Sequence, residues 1–421
     1  MSDPAKAIVA ADGLGDRVMA RLEALAALTD EPGALTRLYL SPAHRRAVDA
    51  LTGWFREIGV TATVDAIGNV VARYEGEKPG APALIIGSHI DTVRNAGKYD
   101  GNLGVIAGLV AIEELARRGE RLPFAVEVVA FGDEEGVRFP VTLSGSRALV
   151  GTFDPAGLDA RDQDEVSLRE ALVSFGCDPA GIGAVARNAK DVLGFLEMHI
   201  EQGPVLEAEH LPVGIVTAIN GATRLAVTMR GVAGHAGTVP MALRRDALAC
   251  AAAGLVAIED LARGQADLVA TVGRIEAKPG AVNVIPGEVR FTIDVRSPDD
   301  AQRKAAVVQI RERLSAIASE RGITLDIATT HEAGACACDP AIIAQVEDAV
   351  VRQGVRPLRL PSGAGHDTMA VAALCPVGML FVRCAGGISH NPLEQITAGD
   401  ADMAMRVLLD AIRHFRPVRA V

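Results

Sequence analysis

The chain has 421 residues and a formal net charge of −11, which argues against a nucleic-acid partner because such a partner needs a basic face. Hydrophobic residues make up 49% and charged residues 23% of the chain, a balance that predicts a globular fold and excludes extensive disorder. A chain of this length can form two or three domains.

The N-terminal segment 1–30 has scattered charges, no basic region followed by an apolar core, and no apolar run long enough to span a bilayer. This pattern is typical of an amphipathic surface helix. The six cysteines are dispersed and do not form a disulfide framework, so we expect reduced thiols. Together these features predict a cytoplasmic protein with no membrane partner.

Two apolar runs, 83–87 and 124–131, are typical of strands that are buried on both faces. Residues 103–118 between them have helical periodicity, so the segment predicts a strand–helix–strand unit with parallel strands. Open sheets of this kind bind ligands beyond the carboxyl ends of their strands. Polar clusters, SHIDTV and GDEEGVRF, follow the two runs, which predicts a site at that edge.

The pattern changes from about residue 214. Residues 222–232 and 288–297 alternate between apolar and polar, as strands do in an antiparallel sheet with one solvated or ligand-facing side. Helical patterns at 245–263 and 300–320 would cover the opposite face of that sheet. We also expect a helical region at 151–195.

The sequence therefore predicts an α/β fold with two domains. The larger domain, 1–212 and 329–421, would contain a mostly parallel or mixed sheet flanked by helices and would carry the site predicted at the strand ends. The inserted α+β domain, 213–328, would contain an antiparallel sheet.

His89 and Asp91 are two residues apart, so in an extended segment their side chains lie on the same side. The imidazole can bind a metal while the aspartate orients its other ring nitrogen. Asp100 lies between glycines just before the predicted helix, where a carboxylate can bridge two cations. The alternative is a helix N-cap, a role that Asn102 also fits.

Glu134 and Glu135 come directly after a buried strand, so one can bind metal and the other can act as a general base. The alternative is an exposed acidic turn. His199 lies in an alternating polar run, and His390 lies in a turn close to the end of another apolar run. Nitrogen and carboxylate ligands without thiolates favour zinc, manganese, cobalt or nickel.

The motifs taken together resemble the di-metal aminoacylase and carboxypeptidase type of amidohydrolase. Within it the chain is similar to the branch of allantoate amidohydrolases, N-carbamoyl-L-amino acid hydrolases and β-ureidopropionases. The resemblance spans nearly the whole chain and rests on an ordered series of motifs: GSHIDTV, GKYDGNLGV, DEEGVRFP, GSR, EMHIEQGPVLE, GHAGTVPM, RRDAL, NVIPG, IDVR, SGAGHD and GISHNP.

The resemblance implies two divalent metal ions per subunit, manganese or zinc, with cobalt or nickel as alternatives. His89 and His199 would bind one ion, Glu135 and His390 the other, and Asp100 would bridge them.

The resemblance also implies catalytic and substrate-binding roles. Glu134 would be the general base, Asp91 would orient His89, and Gln202 would contact substrate. The inserted domain resembles a dimerisation domain, so a homodimer is expected.

In that domain His235 would stabilise the oxyanion, reaching across to the partner subunit's site, and Asn283 and Arg296 would bind the substrate carboxylate. The residues themselves agree for Arg296, which is on the polar face of its predicted strand. A surface pair with Asp294 is the alternative.

The implied reaction is metal-assisted hydrolysis of a ureido C–N bond in a small carboxylate, with release of ammonia and carbon dioxide. Allantoate is the leading substrate, which would place the enzyme in purine catabolism. N-carbamoyl-L-amino acid hydrolase or β-ureidopropionase activity is the alternative. A metallopeptidase or aminoacylase, and a binding protein without turnover, are alternatives from other classes.

Overall fold

The computed structural model describes residues 13–418. The chain divides into two compact units. The first unit comprises the residues up to 217 together with 338–360 and those from 365 onward, and the second unit comprises 218–337 together with 361–364. The sequence predicts that the chain returns from the inserted domain to the larger domain between residues 328 and 329. In the structure it leaves the second unit between residues 337 and 338, because the strand Thr324–Ala333 pairs along Gly221–Arg230 in that unit.

Sixteen strands are found in the described residues, numbered here in chain order. They are β1 (Ala62–Val64), β2 (Val70–Tyr74), β3 (Ala83–His89), β4 (Ala125–Phe131), β5 (Val192–Ile200), β6 (Val213–Ile219), β7 (Gly221–Arg230), β8 (Gly234–His235), β9 (Val269–Thr271), β10 (Ile275–Lys278), β11 (Val284–Ile285), β12 (Glu288–Ser297), β13 (Thr324–Ala333), β14 (Cys336–Ala337), β15 (Arg359–Ser362) and β16 (Val377–Val382).

The α-helices of the same residues are α1 (Leu14–Ala26), α2 (Pro42–Glu57), α3 (Asn102–Arg117), α4 (Ser144–Leu149), α5 (Leu168–Phe175), α6 (Val205–Ala208), α7 (Ala247–Arg263), α8 (Asp300–Glu320), α9 (Pro340–Arg352), α10 (Thr368–Val371) and α11 (Ala398–Arg413). None of the helices between residues 13 and 418 is long and apolar enough to cross a membrane.

The larger sheet has nine strands in the order β1-β2-β4-β3-β5-β16-β6-β14, and β15 also pairs with β6. The four adjacent strands β4, β3, β5 and β16 are parallel to one another, whereas the flanking pairs are antiparallel. The predicted mixed sheet is therefore confirmed. Every residue of β3 and β4 is buried, as their continuous apolar sequences predict.

The second unit contains a five-stranded antiparallel sheet, ordered β10-β12-β7-β13 with β9 paired to β12. Alternate residues of β12 are buried against α7 and α8, which confirms the predicted two-sided strand. A separate two-stranded sheet joins β8 to β11. The predicted α+β character of this region is thus observed.

One expectation about elements differs from the structure, and another lies partly outside the described residues. Segment 151–195 contains only one α-helix, α5, with three short 3-10 helices, and β5 begins at Val192. The predicted N-terminal helix is present as α1, while residues 1–12 of that prediction lie outside the described residues. His44 is in α2 and is fully buried. None of the six cysteines, all of which lie in the described residues, forms a disulfide, as expected.

Candidate active site

The carboxyl ends of the four parallel strands deliver the predicted metal ligands to one place. His89 is the last residue of β3 and His199 lies at the end of β5, while Glu134 and Glu135 follow β4. His390 comes in the turn beyond β16. Parallel strands end at the same edge of a sheet, so residues far apart in sequence meet there.

Asp100 lies at the centre of this cluster. Its Oδ1 is 3.1 Å from Nε2 of His199 and 3.7 Å from Nε2 of His89. Its Oδ2 is 3.1 Å from Nε2 of His390, which in turn lies 3.7 Å from Oε2 of Glu135. Each oxygen of Asp100 therefore faces a different set of histidines. The N-cap of α3 is Gly101, so the alternative role of Asp100 or Asn102 as a side-chain cap is not observed.

The backbone fixes which nitrogen of each buried histidine faces the cluster. Nδ1 of His89 is 3.0 Å from the carbonyl oxygen of Asp91, and Nδ1 of His199 is 2.9 Å from that of Ile200. A ring that donates from Nδ1 to a carbonyl keeps a lone pair on Nε2. Gly101 N–H donates to Nε2 of His199 at 3.2 Å, which agrees with an unprotonated Nε2.

Gly101 has a positive φ of 65° and lies directly against the His89 ring. A Cβ at this position would overlap Nε2 of His89, so only glycine allows the turn to bring Asp100 this close.

The carboxylate of Asp91 contacts the loop after β4 more closely than it contacts His89. Its two oxygens accept the backbone N–H groups of Glu134 and Glu135 at 3.2 and 3.1 Å. Its Oδ1 is 3.6 Å from Nδ1 of His89, so the ring is held chiefly by the backbone carbonyl of Asp91. Asp91 thereby positions the pair of glutamates, which are largely buried rather than an exposed acidic turn.

Burial and neighbouring ionisable groups shift the pKa values of the residues in this cluster. Burial, with Asp100 adding, raises the pKa of Glu135 to about 7. The hydrogen bond to Asp100 raises the pKa of His390 to about 9 against the effect of burial. Burial would raise the pKa of Asp100, but the surrounding imidazoles of His199, His390 and His89 hold it well below its usual range. The carboxylates gathered in this cluster favour the binding of cations.

Gln202 contacts the cluster through its amide. Its Nε2 donates to Oδ2 of Asp100 at 2.9 Å and lies 3.1 Å from Oγ of Ser389. Its Oε1 is buried and has no hydrogen-bond partner among residues 13–418.

The three predicted residues of the second unit fall into two groups. His235 and Asn283 lie together, because His235 pairs with Val284 between β8 and β11 and Ala236 N–H donates to the Asn283 carbonyl. Both are exposed. Gly237 N–H donates to Nδ1 of His235 at 3.0 Å, so a neutral ring carries its proton on Nε2.

Arg296 is on the polar face of β12, as predicted, and forms a two-pronged ion pair with Asp294 at 2.9 Å for each contact. Its Nη1 also donates to the carbonyl of Gly363. These contacts use three of its five N–H donors.

Four further residues support the site and were assigned no role from the sequence: Arg37, His366, Ser389 and Glu394. The buried Arg37 donates to the carbonyl of Ile90 and to Oδ1 of Asn102, beside the turns that contain Asp91 and Asp100. The His366 ring lies edge-on to the His199 ring, with 4.4 Å between the ring centroids. The sequence signals were that His366 belongs to the motif SGAGHD and that Ser389 and Glu394 flank His390.

The donor set fits a pair of divalent metal ions. Three groups of possible ligand atoms share members, and within each group all atoms lie within 4.8 Å of one another. The residues of these groups are His89, Asp100, Glu134, Glu135, His199 and His390. Oε1 of Glu135 is buried and lacks a hydrogen-bond partner in the described part of the chain. An unpaired buried carboxylate oxygen is costly unless a cation is bound to it.

Fold and cluster together define an α/β protein with a histidine–carboxylate site suited to divalent metals. The profile of Peptidase family M20/M25/M40 matches residues 85–414, and the chain belongs to this family. Members of the family typically depend on two metal ions, which agrees with the cluster.

Relatives within the family narrow the class. The chain is 40% identical over 418 residues to allantoate deiminase 1 of Glycine max, covering 92% of this chain and 86% of that protein. It is also 40% identical over 399 residues to an N-carbamoyl-L-amino acid amidohydrolase of Geobacillus stearothermophilus, covering 94% and 98%. The chain is accordingly a hydrolase that acts on C–N bonds.

The fold matches a crystal structure of a hydantoinase/carbamoylase family amidase from Burkholderia multivorans. The TM-score is 0.91 at 35% sequence identity, with 97% of this chain and all of that chain covered. The similarity thus extends over both units.

Proposed function

We propose that the protein hydrolyses the ureido (carbamoyl) C–N bond of a small carboxylate, with allantoate as the first substrate to test. The observation that carries this proposal is the cluster around Asp100, in which three imidazoles and three carboxylates meet. One of these carboxylates, Glu135, has a buried oxygen with no hydrogen-bond partner among residues 13–418. We propose a ureido substrate because the relatives are named allantoate deiminase and N-carbamoyl-L-amino acid amidohydrolase.

His89 and His199 would hold one ion, Glu135 and His390 the other, and Asp100 would contribute one oxygen to each. Two bound divalent ions lower the pKa of a water molecule and polarise a carbonyl oxygen. We propose manganese or zinc, because both accept mixed nitrogen and carboxylate ligands.

Glu134 is our general base. Burial raises its pKa well above the usual value, and Glu135, Asp367 and Asp91 add to the effect although His89 opposes it. A carboxylate of this kind takes a proton from water more readily and can return it to the leaving nitrogen. Asp91 keeps Glu134 in place because its carboxylate accepts the backbone N–H of Glu134.

We propose substrate-binding roles for four residues. We propose that Nε2–H of His235 donates to the developing oxyanion, and that Asn283 and Arg296 bind the carboxylate. Two N–H donors of Arg296 make no hydrogen bond within the described part of the chain, and Asp294 orients the guanidinium, which supports this role. Oε1 of Gln202, which has no partner in that same part, is suited to accept a ureido N–H.

Hydrolysis places the water oxygen on the ureido carbon, breaks its bond to the substrate nitrogen and releases that nitrogen as an amine. The carbamate that leaves then decomposes to ammonia and carbon dioxide. An N-carbamoyl-L-amino acid offers the same bond and carboxylate. It is the second candidate because relatives of both names are 40% identical to the chain.

The test is ammonia release by manganese-reconstituted protein offered allantoate, N-carbamoyl-L-amino acids of several sizes and β-ureidopropionate in parallel. We expect the highest kcat/KM on allantoate. Strong turnover of a carbamoyl amino acid without turnover of allantoate would replace our first substrate by the second. Dipeptide cleavage without ammonia release would exclude both.

A further inference from the structure

The carboxylate of Glu394 belongs to the surroundings of Asp100 but has no part in the proposed chemistry. It is 4% exposed. Its Oε1 accepts the backbone N–H of Tyr99 at 2.8 Å and that of Asp100 at 3.1 Å, and its Oε2 accepts the Ser389 hydroxyl at 2.9 Å. One side chain therefore joins the turn that carries Asp100 to the turn that carries His390.

Packing keeps this carboxylate in place. The backbone at Gly97 lies directly against the Glu394 side chain, and a Cβ at Gly97 would overlap it. The carboxylate cannot shift toward that turn without moving the backbone before Asp100. The position of Glu394 is thus coupled to the position of the central ligand.

Ser389 lies between the carboxylate of Glu394 and Oδ2 of Asp100. Its Oγ is 3.0 Å from Oδ2 of Asp100 and 2.9 Å from Oε2 of Glu394. A hydroxyl has one proton and can donate it to only one of the two carboxylates. Gln202 already donates to Oδ2 of Asp100, and Nε2 of His390 lies 3.1 Å from the same oxygen on the side where a cation would bind to both residues. A further donor from Ser389 would occupy the lone pair that this cation needs.

We propose that Glu394 is a positioning residue of the metal site: it holds the backbone N–H of Asp100 and accepts the proton of Ser389, which leaves a lone pair of Asp100 Oδ2 for a metal ion. This inference rests on the proposed metal site but is independent of the substrate.

The choice of a carboxylate over an amide follows from the donors around it. Glutamine at 394 would direct its carbonyl oxygen to the two backbone N–H groups, because an NH₂ group there would meet two donors. Its NH₂ group would then donate to Ser389 and turn the hydroxyl proton toward Asp100. Glu394→Gln therefore reverses one hydrogen bond while it preserves shape.

The experiment is calorimetric titration of the metal-free protein with Mn²⁺. We expect Glu394→Gln to weaken at least one of two binding events by about ten- to a hundredfold, the usual cost of losing a group that orients a ligand. Adding Ser389→Ala to that variant removes the competing proton and should restore most of the affinity. Thermal unfolding is measured in parallel.

Asp65→Asn is the matched control, because Asp65 also accepts two backbone N–H groups, those of Ile67 and Asn69 at 3.0 and 2.9 Å, in the turn between β1 and β2. It should lower thermal stability and leave Mn²⁺ affinity unchanged. A purely structural role of Glu394 would give the same result as this control.

Three results would overturn the proposal. One is wild-type Mn²⁺ affinity in Glu394→Gln, and another is failure of Ser389→Ala to restore affinity in that background. The third uses Ser389→Ala alone, which keeps Glu394: tightening of about tenfold or more would mean that the hydroxyl donates to Asp100 in the native protein. A wild-type protein that binds no Mn²⁺ would reject the metal site itself and this inference with it.

Discussion

Glu134 is the residue at which chemistry and metal binding can be separated. Its Oε2 is 3.9 Å from Nε2 of His89, so the geometry alone allows it to be a ligand or a base. We expect Glu134→Gln to lower kcat by about 10²–10⁴ and to retain two metal ions, because an amide cannot take the proton of water. Elemental analysis and ammonia release on the same sample measure both quantities.

Glu135→Gln is the control for that experiment, since Glu135 lies 3.7 Å from His390 and is a proposed ligand. This variant should lose metal as well as activity. Retained turnover in Glu134→Gln would show that Glu134 is not the base, and loss of one metal ion would show that it is a ligand.

The sequence predicted the central residues of the cluster but not the residues that hold them. His89, Asp100 and His390 belong to recognisable motifs, and their meeting follows from parallel strands ending at one edge. Glu394 contacts the backbone of Asp100 only through the tertiary fold, because the two residues are 294 positions apart in sequence. A single acidic residue in a polar turn gives no sign of that contact.

At the scale of an element, the N-terminus of α2 contains a titratable group in a closed environment. The His44 ring accepts the N–H of Leu40 at 2.8 Å and is fully buried. Burial, with Arg37, Arg45 and Arg138 adding, lowers its pKa from 6.5 to about 3.

The native protein therefore binds fewer protons at His44 than the unfolded chain does between these two pKa values. The stability that His44 contributes is complete above pH 6.5 and decreases as the pH falls toward 3. We expect this residue alone to give a slope of up to about 1.4 kcal/mol per pH unit. Urea unfolding of the wild type and of His44→Gln across this range should show the difference, and parallel curves would contradict it.

Strands were predictable from the sequence where burial alone determines the spacing of their apolar residues. The fully buried β3 and β4 and the half-buried β12 each have the periodicity that their surroundings impose. Segment 151–195 was not predictable, because its short 3-10 helices begin at Asp and Asn caps and proline rather than at a periodic apolar face. The three-residue β1 is too short to show any period.

At the scale of the whole molecule, the proposed dimer makes a prediction that activity alone can test. We propose that His235 serves the partner subunit's site, so Glu134→Gln and His235→Ala proteins should each be nearly inactive. When the two are mixed and allowed to exchange subunits, a heterodimer would contain one site with an intact Glu134 from one chain and an intact His235 from the other.

Random exchange makes half of the dimers heterodimers with one intact site each, so activity should rise to about a quarter of the wild-type value. Sedimentation of the unmixed wild type checks that a dimer forms. A mixture that exchanges subunits but stays at the activity of the separate variants would mean that His235 acts within its own chain, since neither subunit would then have a complete site.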